Sequence, residues 1–186
     1  MAFITVGGSV TSYAEFTDLV QKDQRLLESN ELVVPTESGF TDTSDFVEDL
    51  LTKSTDRINI KIKASSWWQG YLRYTNTTNV SNPALVPDFN PNRIKTRKQD
   101  FTDLCVFYCM YYYLLPLIAD FSSEDSPELQ KIQYYETKFN GLFNELLAMA
   151  DWYDADGDGT VEDGEKAYTY ATVRRTRRRS SVVKVN

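Results

Sequence analysis

The stretch from Leu104 to Ile118 constrains the fold of this chain more than any other. It is apolar and aromatic throughout, and Pro116 interrupts it near its end. A membrane span needs about 20 apolar residues, and this run is shorter, so the stretch reads as a buried helix of a protein that no membrane holds. The helix is expected from about Thr96 to Phe121. A helix that is apolar nearly all round belongs at the centre of a bundle or at a subunit interface. Pro116 should kink it, because proline lacks the amide of the helical ladder and its ring crowds the preceding turn. Cys105 and Cys109 stand one turn apart on that helix, so a disulfide between them would close no loop. They read as small buried hydrophobes in a reducing compartment.

Helical patterning continues on both sides. Ser122 to Ser126 is a polar turn. Ser126-Pro127 then supplies an N-cap and a proline at the first helical position. Leu129, Ile132, Phe139, Leu142, Phe143, Leu146 and Met149 mark one helix face that ends near Trp152. The two helices make an antiparallel hairpin. Upstream, Ser12-Tyr13-Ala14-Glu15 has the form of a capping box opening a helix to about Leu27. Residues 28–43 are rich in turn formers and read as a loop. A helix then starts at Ser44, with Phe46, Val47, Leu50, Leu51, Ile58 and Ile62 in one stripe. Residues 57–63 also alternate like a strand, but no turn signal separates them from Ser44, which favours helix.

Residues 67–96 are the longest irregular stretch, with Trp67-Trp68 at the start and Pro83, Pro87 and Pro91 along it. Long structureless loops inside compact domains are unusual. The segment is either a functional protrusion or a hidden hairpin with Gln69–Tyr74 as one strand; its plain reading is a surface loop pinned to the core by the Trp pair, its sharper one a contact arm. The expected architecture is therefore mainly α: a four-helix bundle-like domain over residues 12–171 with a long inserted loop 67–96. An N-terminal arm, residues 1–11, precedes it, and an extended basic arm, residues 172–186, follows. The first ten residues lack the basic start and long apolar run of a signal peptide. Without such a signal, the glycosylation patterns at Asn76 and Asn79 carry no weight.

One motif carries chemistry. Asp154-Ala155-Asp156-Gly157-Asp158-Gly159-Thr160-Val161-Glu162-Asp163-Gly164-Glu165 matches the EF-hand calcium loop at every diagnostic position. Asp154, Asp156 and Asp158 supply carboxylate oxygens at positions 1, 3 and 5. Gly159 allows the sharp turn at position 6, and Thr160 offers its carbonyl at position 7. Glu162 at position 9 acts directly or through water, and Glu165 at position 12 is the bidentate ligand. A helix is expected before the loop, up to Trp152, and another after it, over Asp163 to Ala171. Calcium sensors usually pair two such loops around a Met-rich groove. This chain has one loop and three Met, which favours a calcium staple over a switch.

The sequence contains no histidine, the commonest general base and zinc ligand. It also lacks a nucleophile–base pattern, a phosphate loop and zinc spacing, so it does not read as an enzyme. The net charge of -7 is uneven. Residues 173–186 hold five Arg, one Lys and no acid, which leaves the rest at -13. Such a body repels nucleic acid, while the tail suits phosphate or an acidic surface. Ser180 to Val185 has strand propensity and could add to a neighbour's sheet edge, although a disordered basic tail is the plainer reading.

The order of elements resembles the head–tail connector proteins (adaptor or neck proteins) of tailed bacteriophages. A capped helix, a helix with an acidic start, a long loop, an aromatic helical hairpin with Tyr134-Tyr135-Glu136-Thr137-Lys138-Phe139, and a C-terminal arm follow in that sequence. The likeness spans about residues 10–171 and lies in layout; the calcium loop is not part of the family pattern. It implies a structural virion protein made in the host cytoplasm and placed in the neck. Copies, typically twelve, would form a ring between portal and tail proteins. DNA would pass through the channel without specific binding, sliding past an acidic lining. Two other readings stand beside it: a monomeric EF-hand calcium-binding regulator, and a nucleic-acid-binding accessory protein that uses the Arg tail.

Overall fold

The computed structural model describes residues 3–24, 39–40, 42–74, 87–119, 121, 126–163 and 165. These residues are mainly helical. Most of the expected loop 28–43, the turn at 122–125, residues 75–86 and the arm 172–186 lie outside them, as does nearly all of the expected helix over 163–171.

The chain opens with a hairpin, β1 (Ile4–Val6) against β2 (Ser9–Ser12), where an arm is expected. Gly7 and Gly8 turn it, with φ of 60° and 83°. A two-residue hairpin turn with both φ positive suits glycine, which lacks the Cβ that would clash there. Tyr13 then enters the core. Its amide donates to Thr55 Oγ1 at 3.1 Å, its hydroxyl to Asn59 Oδ1, and its carbonyl accepts from Thr102 Oγ1 at 2.7 Å. The first helix, α1, is Phe16–Lys22, and its N-cap is Glu15, not Ser12. Asp18 at the third helical position accepts from the Glu15 amide at 2.9 Å. Ser12 ends β2 and donates to Ala14 O instead. The hairpin holds Ser12 in a strand, and so moves the cap three residues onward.

Helix α2 runs Thr43–Lys63, with Asp42 as N-cap accepting from the Asp45 amide at 3.0 Å. Residues 57–63 are helical. Ile58 and Ile62 are buried one turn apart, whereas Ile60 faces out. Helix α3 spans Ser66–Tyr74 and corrects the reading of this segment as the start of a loop or as a strand. The Trp68 amide is met by Ser65 Oγ at 3.3 Å, and Trp67, Trp68, Tyr71 and Leu72 are buried. Burial of this aromatic face outweighs the weak local helix propensity of aromatic residues.

Helix α4, Lys98–Ile118, is the apolar stretch. It is the one helix among the described residues long and apolar enough to cross a membrane, and just over half of its apolar window is buried inside the protein. It packs against α2 and α5. Pro116 leaves its mark as a π turn at Met110–Leu114. With no proline N–H to donate back, the ladder widens by one residue per turn ahead of the ring. Cys105 and Cys109 are buried and unbridged. Burial pushes the Cys105 thiol up to about 12, and the Cys109 thiol well above its ordinary value.

Helix α5, Pro127–Met149, starts on Ser126 as expected but ends three residues before Trp152. Ala150 adopts φ 51° and turns the chain; its amide donates to the Leu146 carbonyl at 3.1 Å, and the Trp152 indole N–H donates to the same oxygen at 2.8 Å. A carbonyl oxygen has two lone pairs, so Trp152 adds a side-chain donor to an end of α5 that the Ala150 amide already caps. Trp152 is also the hub of an aromatic core: its ring lies 4.4 Å from Trp67 and 5.0 Å from Phe101 between centroids. Phe89 and Tyr153 stack at 5.3 Å beside it.

Candidate metal centre

The acidic loop begins directly after this core. Tyr153 forms an isolated antiparallel bridge with Ile94. The Lys95 amide donates to Trp152 O at 3.0 Å, and the Asp154 amide to Arg93 O at 2.9 Å. Arg97 grips Asp151 with two bonds, Nε at 2.6 Å and Nη2 at 3.0 Å. No helix leads directly into the acidic loop: α5 ends at Met149, and the Ile94–Tyr153 bridge comes before Asp154. The expectation that helix leads straight into position 1 is corrected: α5 stops early, and the chain reverses at Ala150.

Within the loop, Asp154 is the anchor. Its side chain is almost fully buried. Oδ1 accepts from the Gly157 amide at 2.5 Å, and Oδ2 from the Gly159 amide at 2.9 Å. Asp156 Oδ1 accepts from the Asp158 amide at 3.0 Å. Asp158 Oδ1 accepts from the Thr160 amide and hydroxyl at 2.8 and 2.9 Å, which hold its carboxyl below the ordinary value. Gly157 and Gly159 have φ of 89° and 102°, a region where a Cβ is strained. Buried Glu165 folds back onto the start of the loop. Its Oε1 accepts from the Ala155 and Asp156 amides at 2.7 and 3.2 Å, and Oε2 from the Glu162 amide at 2.8 Å.

The aspartates converge. Carboxylate oxygens of Asp154, Asp156 and Asp158 all lie within 4.8 Å of one another. The donor set is hard oxygen, and the loop carries six acids and no base. That chemistry fits calcium, which takes six to eight oxygens from a flexible cage. Thr160 keeps its carbonyl at the seventh position, Glu162 is exposed, and Glu165 closes the loop through amides. Carboxylate oxygens retain lone pairs beyond those bonds.

Three partners escaped sequence reasoning. Arg93 Nη1 donates to Ala155 O at 2.6 Å, and its guanidinium covers Gly157. The Lys95 ammonium lies 3.8 Å from Asp154 Oδ2. Arg97 holds Asp151, with its own backbone at φ 53°. They stand some sixty residues away in sequence, within a stretch that has no periodicity, so no local signal reports them.

Fold and site together define a mainly helical protein with an acidic, glycine-turned loop at 154–165 that follows directly on its aromatic core. Compared with known proteins, the chain matches no family model, no curated protein and no solved structure.

Proposed function

We propose that this chain is a structural subunit of a phage head–tail connector ring, whose acidic loop binds calcium and staples the C-terminal arm to the body. The observation that carries the staple is the seating of the loop. It hangs from residues 93–95, is capped by Arg93, and lies two residues from the aromatic hub Trp152. A cation held by Asp154, Asp156, Asp158, Glu162, Glu165 and the Thr160 carbonyl would neutralise their mutual repulsion. It would also tie the exit of the chain to the core. Metal binding that needs the folded loop contributes directly to folding stability.

That arrangement favours a staple over a regulatory switch. Sensor loops work by changing the angle of the two helices they join, and here no helix enters the loop. The ring half of the proposal rests on the resemblance in layout. Four-helix bundle packing, the neck location, the portal and tail partners, and passage of DNA without specific binding belong to the same reading. An accessory protein that binds nucleic acid through the tail is the weaker alternative, because the body is strongly acidic.

Two measurements test it. Calorimetric titration with calcium should show one site, and Glu165→Gln should weaken it at least tenfold. The melting temperature of this variant should fall further behind wild type in calcium than in chelator. Equal deficits in both conditions would remove calcium from the account. Light scattering and negative-stain microscopy should show rings of about a dozen copies, and a persistent monomer that never joins portal or tail components would sink the connector reading.

A further inference from the structure

Helix α2 is polarised. Asp42 to Leu50 holds four acids and no base, whereas Lys53 to Lys63 holds four bases and one acid. The helix is 21 residues long, so its ends stand about 30 Å apart. Charges of this order also complement the helix dipole, but that does not account for what surrounds the basic end. There, Ile60 and Tyr112 are half exposed, 53% and 50%. Tyr108 stacks on Tyr112 at 5.2 Å, and Tyr113 lies 5.0 Å from Tyr112.

Arg57 and Lys61 border these rings, both exposed and one turn apart. Lys22, Lys53, Lys63, Lys95, Arg97 and Lys131 all have carboxylate partners. Arg57 and Lys61 have none among the described residues, nor do Arg93, which bonds the Ala155 carbonyl, and Lys98 and Lys138, which lie over Phe3 and Tyr134 far along the chain from this face. Arg57 lies beside the Tyr113 side chain instead, and Lys61 sits 5.5 Å from the Phe139 ring and 6.0 Å from Tyr108. A cationic, aromatic and apolar patch thus stands on an otherwise acidic body. Such a patch fits an acidic protein surface, and each copy carries one at the other end of the same helix: Asp42, Asp45 and Glu48 are exposed.

We propose that the Arg57–Ile60–Lys61–Tyr112 face of one copy docks on the acidic first half of α2 in the next copy. The contact joins two different patches, so it is head-to-tail, and successive copies close into a ring when the rotation permits. Aromatic rings beside cations also suit single-stranded nucleic acid. Two unpaired cations on a body of this charge favour the acidic protein partner. The inference rests on the ring reading and adds the surface that builds the ring.

The test uses the full chain and pairs two charge reversals, Arg57→Glu/Lys61→Glu and Asp45→Lys/Glu48→Lys, each checked for native helicity by circular dichroism. Mass is followed against concentration by light scattering. Wild type should associate, and should dissociate as salt rises. Each variant alone should associate about tenfold more weakly or not at all. Mixed one to one, each reversed patch meets a complementary one, and assembly should return. Tyr112→Ser, which leaves the charges alone, should weaken association as well. If the folded variants assemble like wild type, this interface is wrong while the ring reading stands. If the mixture fails to recover, head-to-tail pairing is wrong. Wild type that stays monomeric at all concentrations overturns the interface, and the ring reading falls with it only when that monomer also never joins portal or tail components. Single-stranded DNA binding by monomeric wild type, lost in Arg57→Glu/Lys61→Glu, would reassign the patch to nucleic acid.

Discussion

Gly157 shows how tightly single residues are specified around the loop. Its φ is 89°, and a Cβ there would approach Arg93 Nη2 to 3.2 Å. Gly157→Ala therefore meets backbone strain and a crowded guanidinium together. We expect a loss of about 1–2 kcal/mol in a urea melt, with weaker calcium binding. Gly159→Ala, at φ 102° with open space around the Cβ, should show the backbone part alone. Glu165 is a second such residue. Both of its oxygens are engaged by amides, so Glu165→Gln exchanges an acceptor facing the Glu162 amide for a donor. Some destabilisation should persist in chelator for that reason, and the excess in calcium measures the ligand role.

At the scale of elements, the end of α5 decides where the loop sits. Trp152 is fully buried, donates to Leu146 O, and packs on Trp67 and Phe101. Trp152→Phe removes the indole donor and leaves a cavity within the ring cluster. The expected cost is about 2–3 kcal/mol, read as a lower urea midpoint at an unchanged slope. The π turn in α4 belongs to this scale as well. It places Tyr111, Tyr112 and Tyr113 in succession at the rim of the body, with Tyr112 outermost. Tyr111 and Phe139 lie 5.6 Å apart, so the turn also shapes the contact between α4 and α5.

For the whole molecule, the core is aromatic, and its buried tyrosines and cysteines are held neutral. Burial pushes Tyr108, Tyr135 and Tyr153 up to about 12, and Tyr13 well above 10.0. Cys105 rises to about 12 from 9.0. These groups are neutral when protonated, and folding favours that form. Their contribution is complete below about pH 9 and is lost as pH climbs toward 12. Melting temperature should be flat from pH 7 to 9 as far as these groups act, and should fall steeply between pH 10 and 12. A flat profile to pH 12 would mean that the core admits water. The free thiols should resist alkylation at pH 8 until denaturant is added.

The residues alone determined what depends on local chemistry. The apolar run from Leu104 sets a central helix, the stripe through Ile58 and Ile62 makes 57–63 helical, and Ser126-Pro127 opens α5. The spacing of Asp154, Asp156 and Asp158 places three carboxylates together, because an acidic loop turning on glycines has few other ways to arrange them. Tertiary structure decided the rest. Trp67 to Tyr74 became helical because an aromatic face could be buried against Trp152 and Tyr153. Ser12 lost its capping role to a hairpin. Met149 ended α5 because Trp152 found a better place in the core than one more helical turn would give it. Arg93, Lys95 and Arg97 reached the loop from some sixty residues upstream. Such contacts depend on which surfaces meet when the chain collapses, and no periodicity or short spacing records that.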